Sequence, residues 1–225
     1  MRPDPRKSKV MRISPPEAPA TDEVADEAPV LESGEVLEDL RLRDADLADA
    51  SAPGVRLERV ALERVALARA RLARAVVVDA RFSACDMAGS QWERAHLGRV
   101  EMEGCRLVGA AFPRADFTDL RATDVNAEMA MFIGTVFTAT RFERCNLRGA
   151  SFEGADLRNA VFRDCDLRNA DLFNARLEGA DLRGSSIAGV RVDLGKLRGL
   201  VLDASQALDI VDQMGVTIKP RDEDA

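Results

Sequence analysis

The stretch that decides the fold covers residues 141–185 and reads RFERC NLRGA SFEGA DLRNA VFRDC DLRNA DLFNA RLEGA DLRGS. Each group of five carries a large apolar residue in second place and a small residue, mostly Ala or Cys, in fifth place. A period of five fits neither the 3.6-residue turn of an α-helix nor the two-residue alternation of a simple strand. The repeat is therefore the first feature that a fold must explain.

This pattern resembles the repeat of the pentapeptide-repeat family, which is written roughly as Ala-(Asp/Asn)-Leu-x-x. The match is close at residues 155–159, 170–172 and 180–184. Members of that family fold as a right-handed quadrilateral β-helix in which four pentapeptides form one square coil, so the resemblance implies an all-β solenoid. The large residue would fill the axis, the small residue would let the wall come close, and coils would stack at about 4.8 Å.

The same frame runs without a shift from Leu42 to Leu202, which predicts about eight coils. Two places are weak. Ala52 precedes Pro53-Gly54, a turn signal that allows a small loop. Over residues 120–131 the central position carries Ala instead of a large residue, and the inward position before it carries a large residue instead of a small one. This exchange of volume favours an intact coil, and a ten-residue loop is the alternative.

Residues 20 apart should stack in columns along the coils. One column holds four cysteines, which we interpret as small buried residues rather than metal ligands because no CxxC spacing and no His accompany them. Another column holds aromatic residues, which we interpret as core rather than a binding platform. The two columns are Cys85, Cys105, Cys145 and Cys165, and Leu72, Trp92, Phe112, Phe132 and Phe152.

The chain divides into four segments. Residues 1–35 are rich in proline and charge and predict a disordered tail, or alternatively an arm that binds a partner or shields the protein itself. Residues 36–203 form the predicted β-helix. Residues 204–219 predict a helix, begun by Asp203 and Gln206, and a short strand over 216–218, together a cap or a dimerisation module. Residues 220–225 form an acidic tail.

The C-terminal segment resembles the module through which bacterial pentapeptide proteins dimerise end to end. This resemblance, with the frequency of two-fold symmetry among oligomers, predicts a homodimer. The interface residues would be Ala207, Ile210, Val211, Met214, Val216 and Ile218.

No enzyme is predicted. The single histidine, His96, falls at an outward position, and no general base accompanies a nucleophile. We therefore expect no catalytic, cofactor or metal site. The chain has no apolar run of membrane-spanning length and no secretory signal at its beginning, so we expect a cytoplasmic protein without a membrane partner.

Outward residues must then carry the function. An exposed apolar patch is predicted near residue 130, and three arginines spaced by 20 form either a solvated face or a contact for anions. The candidate partner surface comprises Met129, Met131, Ile133, Val136, Arg74, Arg94 and Arg114.

These features favour a non-enzymatic β-helix scaffold that binds a protein partner. The family resemblance suggests an alternative, imitation of DNA to bind DNA gyrase or another type II topoisomerase and so give resistance to gyrase poisons such as quinolones. Residues 40–204 contain 25 basic and 24 acidic residues, which does not favour an overall negative field. A second alternative is nucleic-acid binding through the arginine-rich first half.

Overall fold

The chain folds as a parallel β-solenoid of about 8 coils with a short C-terminal helix, as the repeat predicted. The structure, a computed structural model, describes residues 12–25, 29–213 and 215–217. Seven strands form one parallel sheet in chain order, and two more strands pair beyond it. Paired residues lie 20 positions apart in the sequence, as Leu57 and Val77 do.

The elements follow one another along the axis. The strands are β1 (Val36–Arg43), β2 (Arg56–Glu63), β3 (Val76–Ser83), β4 (His96–Glu103), β5 (Asp116–Thr123), β6 (Val136–Glu143), β7 (Val161–Arg163), β8 (Asp171–Leu172) and β9 (Arg191–Val192). A 3₁₀-helix (Leu194–Lys196) and helix α1 (Ala204–Gln213) follow.

A pentapeptide makes one side of the coil because its backbone turns sharply after the large residue. The second residue after it has a left-handed backbone, as at Asn159 with φ 60°. Short polar side chains and glycine tolerate this conformation best. The N–H of Ala160 then donates to the carbonyl of Leu157 at 3.0 Å, which closes the turn.

The aromatic column is core, as predicted. Trp92, Phe112, Phe132 and Phe152 stack with ring centroids 5.9, 5.3 and 5.0 Å apart. The indole Nε1–H of Trp92 donates to Ser90 Oγ at 2.8 Å, and that hydroxyl donates to the Met87 carbonyl at 2.7 Å. Neighbouring coils have alanine at the position of Ser90. Serine is therefore explained here by the hydrogen bond that its hydroxyl accepts from the indole N–H.

The four cysteines are buried and free. The Cys85 and Cys105 thiols donate to carbonyl oxygens of the preceding coil, both at 3.3 Å. The neighbouring Cys85 thiol raises the pKa of the Cys105 thiol, and burial raises it further. Within the described ranges, no group of three or more His, Cys, Asp or Glu side chains is placed to hold a metal ion.

Both weak places in the repeat are regular coils. Ala52 is fully buried, and Gly54 makes the corner with φ 75°. Ala122 pairs with Met102 and Phe142 in the adjacent coils. The intact-coil prediction for residues 120–131 is confirmed, because Leu120 and Val125 fill the core volume that Ala122 and Ala127 leave.

Helix α1 closes the C-terminal end. Asp203 Oδ1 accepts from the N–H of Gln206, and Gln206 Oε1 accepts from the N–H of Asp203, both at 3.0 Å. This is the capping box that the sequence predicted. The predicted strand is not formed at Val216 and Thr217, and Ile218 lies outside the described residues.

The described part of the N-terminal segment differs from the prediction of a disordered tail, whereas residues 1–11 and 26–28 lie outside the described residues. Residues 12–25 lie along the solenoid, where Pro16 and Pro19 are buried. The N–H of Ala25 donates to the Arg41 carbonyl at 2.9 Å, and Leu31 packs on the first coils as part of the core. The partners of this segment are far away in sequence, so its local composition does not predict its position.

Candidate protein interface

Most outward charges are neutralised by the next coil. Arg64 pairs with Asp44 at 2.6 Å, and Arg144 pairs with Asp124 at 2.7 Å, each across 20 residues. The Arg144 guanidinium lowers the pKa of the Asp124 carboxyl, and Arg64 does the same for Asp44. Because these pairs recur, large parts of the surface present alternating rather than continuous charge.

In contrast to this charged surface, one half-turn of a coil presents apolar side chains. Met129, Met131, Ile133 and Val136 are exposed by 61%, 41%, 41% and 39%. We call these four residues the apolar band. Among the described residues, the other exposed large apolar side chains lie near the two ends of the rod, and they are Val24, Val30, Val36, Leu194, Leu208 and Val216.

Met129 occupies a corner at which its residue type is unfavourable. Its φ is 57°, in the left-handed region, where its counterpart one coil later is Gly149. The Met129 sulfur lies over that glycine, only 2.5 Å from where a Cβ would stand. An exposed, unbranched apolar side chain at a strained corner gains little for folding, so the fold does not explain its presence.

The band has a polar border on one side. Val136 lines a shallow hollow with Asp156, Arg158 and Asn159 of the next coil. Arg158 and Asp156 pair at 2.6 Å, and this pairing lowers the pKa of the Asp156 carboxyl. An apolar centre with a charged rim is the usual anatomy of a protein interface.

The predicted arginine column exists as a row of exposed corners. Arg74, Arg94 and Arg114 all have left-handed backbones. Arg114 pairs with Glu93, and its stem lies against Gly134, between Ile133 and Val136 of the band. Arg114 thus belongs to the edge of the band, whereas the other two lie farther along the rod.

The outward carboxylates around Asp116 and Asp156 do not form one strip. In the column that contains Asp116, the next residues are Val136, Asp156 and Arg176. Asp156 is also paired with Arg158 and Arg176. Carboxylates here are therefore interrupted by an apolar residue and matched by cations.

The structure separates the predicted dimer residues into two groups. Ile210 is buried against the solenoid in the cap, whereas Ala207 and Val216 are exposed and Val211 is half-buried. Met214 and Ile218 lie outside the described residues. Dimerisation through this end stays a prediction, and Ile210 serves the cap.

Two further observations concern other functions. His96 is exposed at the start of strand β4. No helix in the described part of the chain is both long and apolar enough to cross a membrane.

The sequence reasoning missed one set of polar residues. Asp39, Asp79 and Asp119 accept hydrogen bonds from backbone N–H groups of residues 14–20. A signal was present in the sequence, because the donating residues Ser14, Glu17 and Ala20 recur every three positions and none is proline.

Two solved structures are among those similar to this chain. A trypsin-treated form of QnrB1, described as a plasmid-mediated fluoroquinolone resistance protein, is 22% identical, with 86% of this chain and 96% of that chain covered and a TM-score of 0.44. HetL, described as involved in heterocyst differentiation regulation in the cyanobacterium Nostoc sp. strain PCC 7120, is 20% identical, with 72% and 88% covered and a TM-score of 0.35. Likeness of this degree carries no argument about a partner.

Sequence matches settle the family. Residues 76–152 match the family described as Pentapeptide repeat region, and residues 150–189 match Pentapeptide repeats (8 copies). No curated protein matches the chain. The two family matches together span just over half of the 225 residues. The chain belongs to the pentapeptide-repeat family.

Proposed function

We propose that this protein is a non-enzymatic scaffold that binds a partner protein through the apolar band. The observation that carries the proposal is Met129, which is 61% exposed and holds a left-handed backbone with φ 57°. Neither its exposure nor its conformation stabilises the solenoid. A flexible, polarisable side chain in this position is well suited to fill an irregular hollow on a partner.

The surroundings of Met129 support a docking surface. Met131 and Ile133 lie on the same side of the coil, and Ala111 precedes Met131 in its column. Exposed apolar groups of this kind, with Arg114 and the Asp156–Arg158 pair at the edge, match an interface with an apolar core and a polar rim. The rigid coil holds all four side chains at fixed spacing, which lowers the entropic cost of binding.

The repeat itself supplies the test variant. Replacing the four band residues by their counterparts in the next coil gives Met129→Gly, Met131→Ser, Ile133→Glu and Val136→Asp, which the fold already accommodates at Gly149, Ser151, Glu153 and Asp156. Leu208→Ser is the matched control, because Leu208 is an exposed apolar residue on helix α1, away from the band.

The experiment isolates the partner of the full-length protein by tagged capture with cross-linking and then titrates the purified partner against each variant. We expect the four-residue variant to bind at least about 30-fold more weakly and Leu208→Ser to bind within about twofold of the wild type. Equal binding by the wild type and the four-residue variant would overturn the proposal.

DNA gyrase, the partner that the sequence resemblance suggests, has less support. Imitation of DNA needs a continuous negative strip, whereas Asp116 and Asp156 are separated by Val136 and followed by Arg176. A supercoiling assay with and without a quinolone tests this alternative directly. Inhibition of supercoiling, or rescue of the poisoned enzyme, at micromolar concentration would replace an unidentified partner by gyrase.

A further inference from the structure

One corner of the solenoid carries a column of alternating charges. It contains Asp39, Arg59, Asp79, Arg99 and Asp119, each in the left-handed conformation. Arg59 pairs with Asp39 at 2.8 Å, and Arg99 pairs with Asp79 at 2.6 Å. We call these five residues the Asp79 corner. An ionised carboxylate can accept about four hydrogen bonds, so these pairs leave acceptor capacity unused.

An extended segment of the same chain uses that capacity. The N–H of Ser14 donates to Asp119 at 3.1 Å, that of Glu17 donates to Asp79 at 2.9 Å, and that of Ala20 donates to Asp39 at 2.9 Å. The segment therefore runs antiparallel to the growth of the solenoid. Asp79 is buried although it lies at an outward corner of the coil.

The residues of this segment divide into three sides. Ile13 is half-buried and Pro16 and Pro19 are buried, so this side faces the solenoid. The next residue in each case donates its N–H to the corner, and the third residue, Pro15 or Ala18, is exposed. Because proline has no N–H, the prolines stand only at positions that do not donate.

The spacing of the N–H donors along the extended segment matches the spacing of the carboxylate acceptors along the solenoid. Three residues of a polyproline-type extended chain span about 9.3 Å, since each residue rises about 3.1 Å and the same side returns every third residue. Two coils of a β-solenoid span about 9.6 Å at the strand spacing of about 4.8 Å. The acceptors stand two coils apart at residues 39, 79 and 119, so an extended chain can satisfy every one of them.

We propose that the Asp79 corner is a binding site for extended, proline-containing segments of partner proteins, with residues 13–20 as its resident occupant. The corner recognises backbone N–H groups and apolar or proline side chains at every third position, which many sequences can supply. The resident segment is tethered and therefore has a high effective concentration, so a partner's segment binds only by displacing it. This site is separate from the apolar band and goes beyond the scaffold function proposed above.

The test uses the full chain. Pro16→Asp with Pro19→Asp places charge on the buried side of the resident segment, next to the carboxylates, and should release it without touching the solenoid core. The probe is a fluorescein-labelled synthetic peptide of residues 12–22, followed by anisotropy. We expect saturable binding to the released variant and binding weaker by about tenfold or more to the wild type, whose site is occupied.

Two variants of the released chain identify the site. Asp79→Gly with Asp119→Gly removes two acceptors, and glycine suits the left-handed backbone at both positions. The matched control is Asp124→Gly, at a neighbouring corner with φ 54° and paired with Arg144. We expect the first variant to weaken peptide binding by about tenfold or more and the control to leave it unchanged.

Two results of the peptide assay would overturn the proposal. One is the absence of saturable peptide binding to the released variant, and the other is equal binding after loss of Asp79 and Asp119. Hydrogen exchange in the wild type gives an independent check that needs no variant. The amides of Ser14, Glu17 and Ala20 should exchange more slowly than in the free peptide, and exchange at the free-peptide rate would also overturn it.

Discussion

The side chain of Gln206, in helix α1, donates a hydrogen bond of 2.6 Å to the carbonyl oxygen of Leu182, in the last coils of the solenoid. The same amide donates to the Ser185 carbonyl at 2.7 Å. A parallel solenoid leaves such carbonyls without a following coil. Gln206 therefore donates hydrogen bonds to carbonyl oxygens at the open end of the solenoid and also completes the capping box of its own helix.

Gln206→Ala should lower the free energy of unfolding by about 2 kcal/mol, because the buried Ser185 carbonyl loses its side-chain donor and the Leu182 carbonyl keeps only the N–H of Ser185. Urea denaturation measures the loss, and hydrogen exchange should show it concentrated in helix α1 and the last coil. Gln213→Ala, the same substitution at an exposed position of the helix, should change stability by less than about 0.5 kcal/mol. Equal effects of the two substitutions would contradict this account of the cap.

Ser90→Ala should cost about 1–2 kcal/mol although alanine occupies the equivalent positions of neighbouring coils. The reason is that the buried indole N–H of Trp92 loses its acceptor at 2.8 Å. A thermodynamic cycle with Trp92→Phe checks this reason. In the Trp92→Phe background, Ser90→Ala should be nearly neutral, and an undiminished cost there would show that the hydrogen bond is not the cause.

Met129→Gly should keep or raise the free energy of unfolding, by up to about 1 kcal/mol, because glycine adopts a φ of 57° without strain. Met131→Gly is the matched comparison. Met131 takes part in the parallel bridges to Ala111 and Ser151, where glycine should cost about 0.5–1 kcal/mol. Denaturant titration measures the free energy of unfolding of both variants. An equal decrease in the two variants would show that Met129 stabilises the fold.

The attachment of residues 13–20 should depend on acid. The pKa of the Asp39 carboxyl is lowered from 3.8 to about 2 by its hydrogen bonds from Arg59 and from the N–H of Ala20. The pKa of Asp79 is lowered as well, by Arg99 and by the N–H of Glu17. The arginines stay in place when the segment detaches, so only the part of the lowering that comes from the N–H groups of Ala20 and Glu17 depends on attachment. Because that part lowers the pKa, attachment is strongest while the carboxylates are ionised and weakens as the pH falls toward about 2.

The amide proton of Ala20, followed by NMR, measures this loss. Its signal should move toward the free-peptide position as the pH falls from about 4 to 2. Arg59 also pairs with Glu38. The variant Asp39→Gly is therefore the control that shows whether Asp39 rather than Glu38 causes the effect. In that variant the Ala20 signal should stay near the free-peptide position throughout, and an unchanged titration would assign the effect to another group.

The repeat was predictable because every inward side chain follows one local rule. Each pentapeptide fills the same volume of the core. The pair of Ala122 and Leu120 could therefore be recognised as an exchange of side-chain size within an intact coil. The capping box of Asp203 and Gln206 is likewise a local signal. The exposed positions of Met129 and Met131 followed from the same register.

The N-terminal segment could not be predicted from composition. Its stabilising contacts come from residues far away in sequence, with Glu17 bonded to Asp79 and Ser14 to Asp119. Proline and charge predict disorder only when no such surface exists. The sequence left open whether Ile210 packs in a cap or in a dimer interface for a related reason, since helical spacing marks an apolar face without saying what covers it.

The most direct measurement for the central claim is site-specific photo-cross-linking in the full-length protein. A photoreactive residue is placed at position 131, in the apolar band, or at position 91, an exposed site in the same column two coils earlier. We expect one partner protein to be cross-linked from position 131 and not from position 91. Cross-linking of the same proteins from both positions, or of none from position 131, would contradict a docking surface at the band.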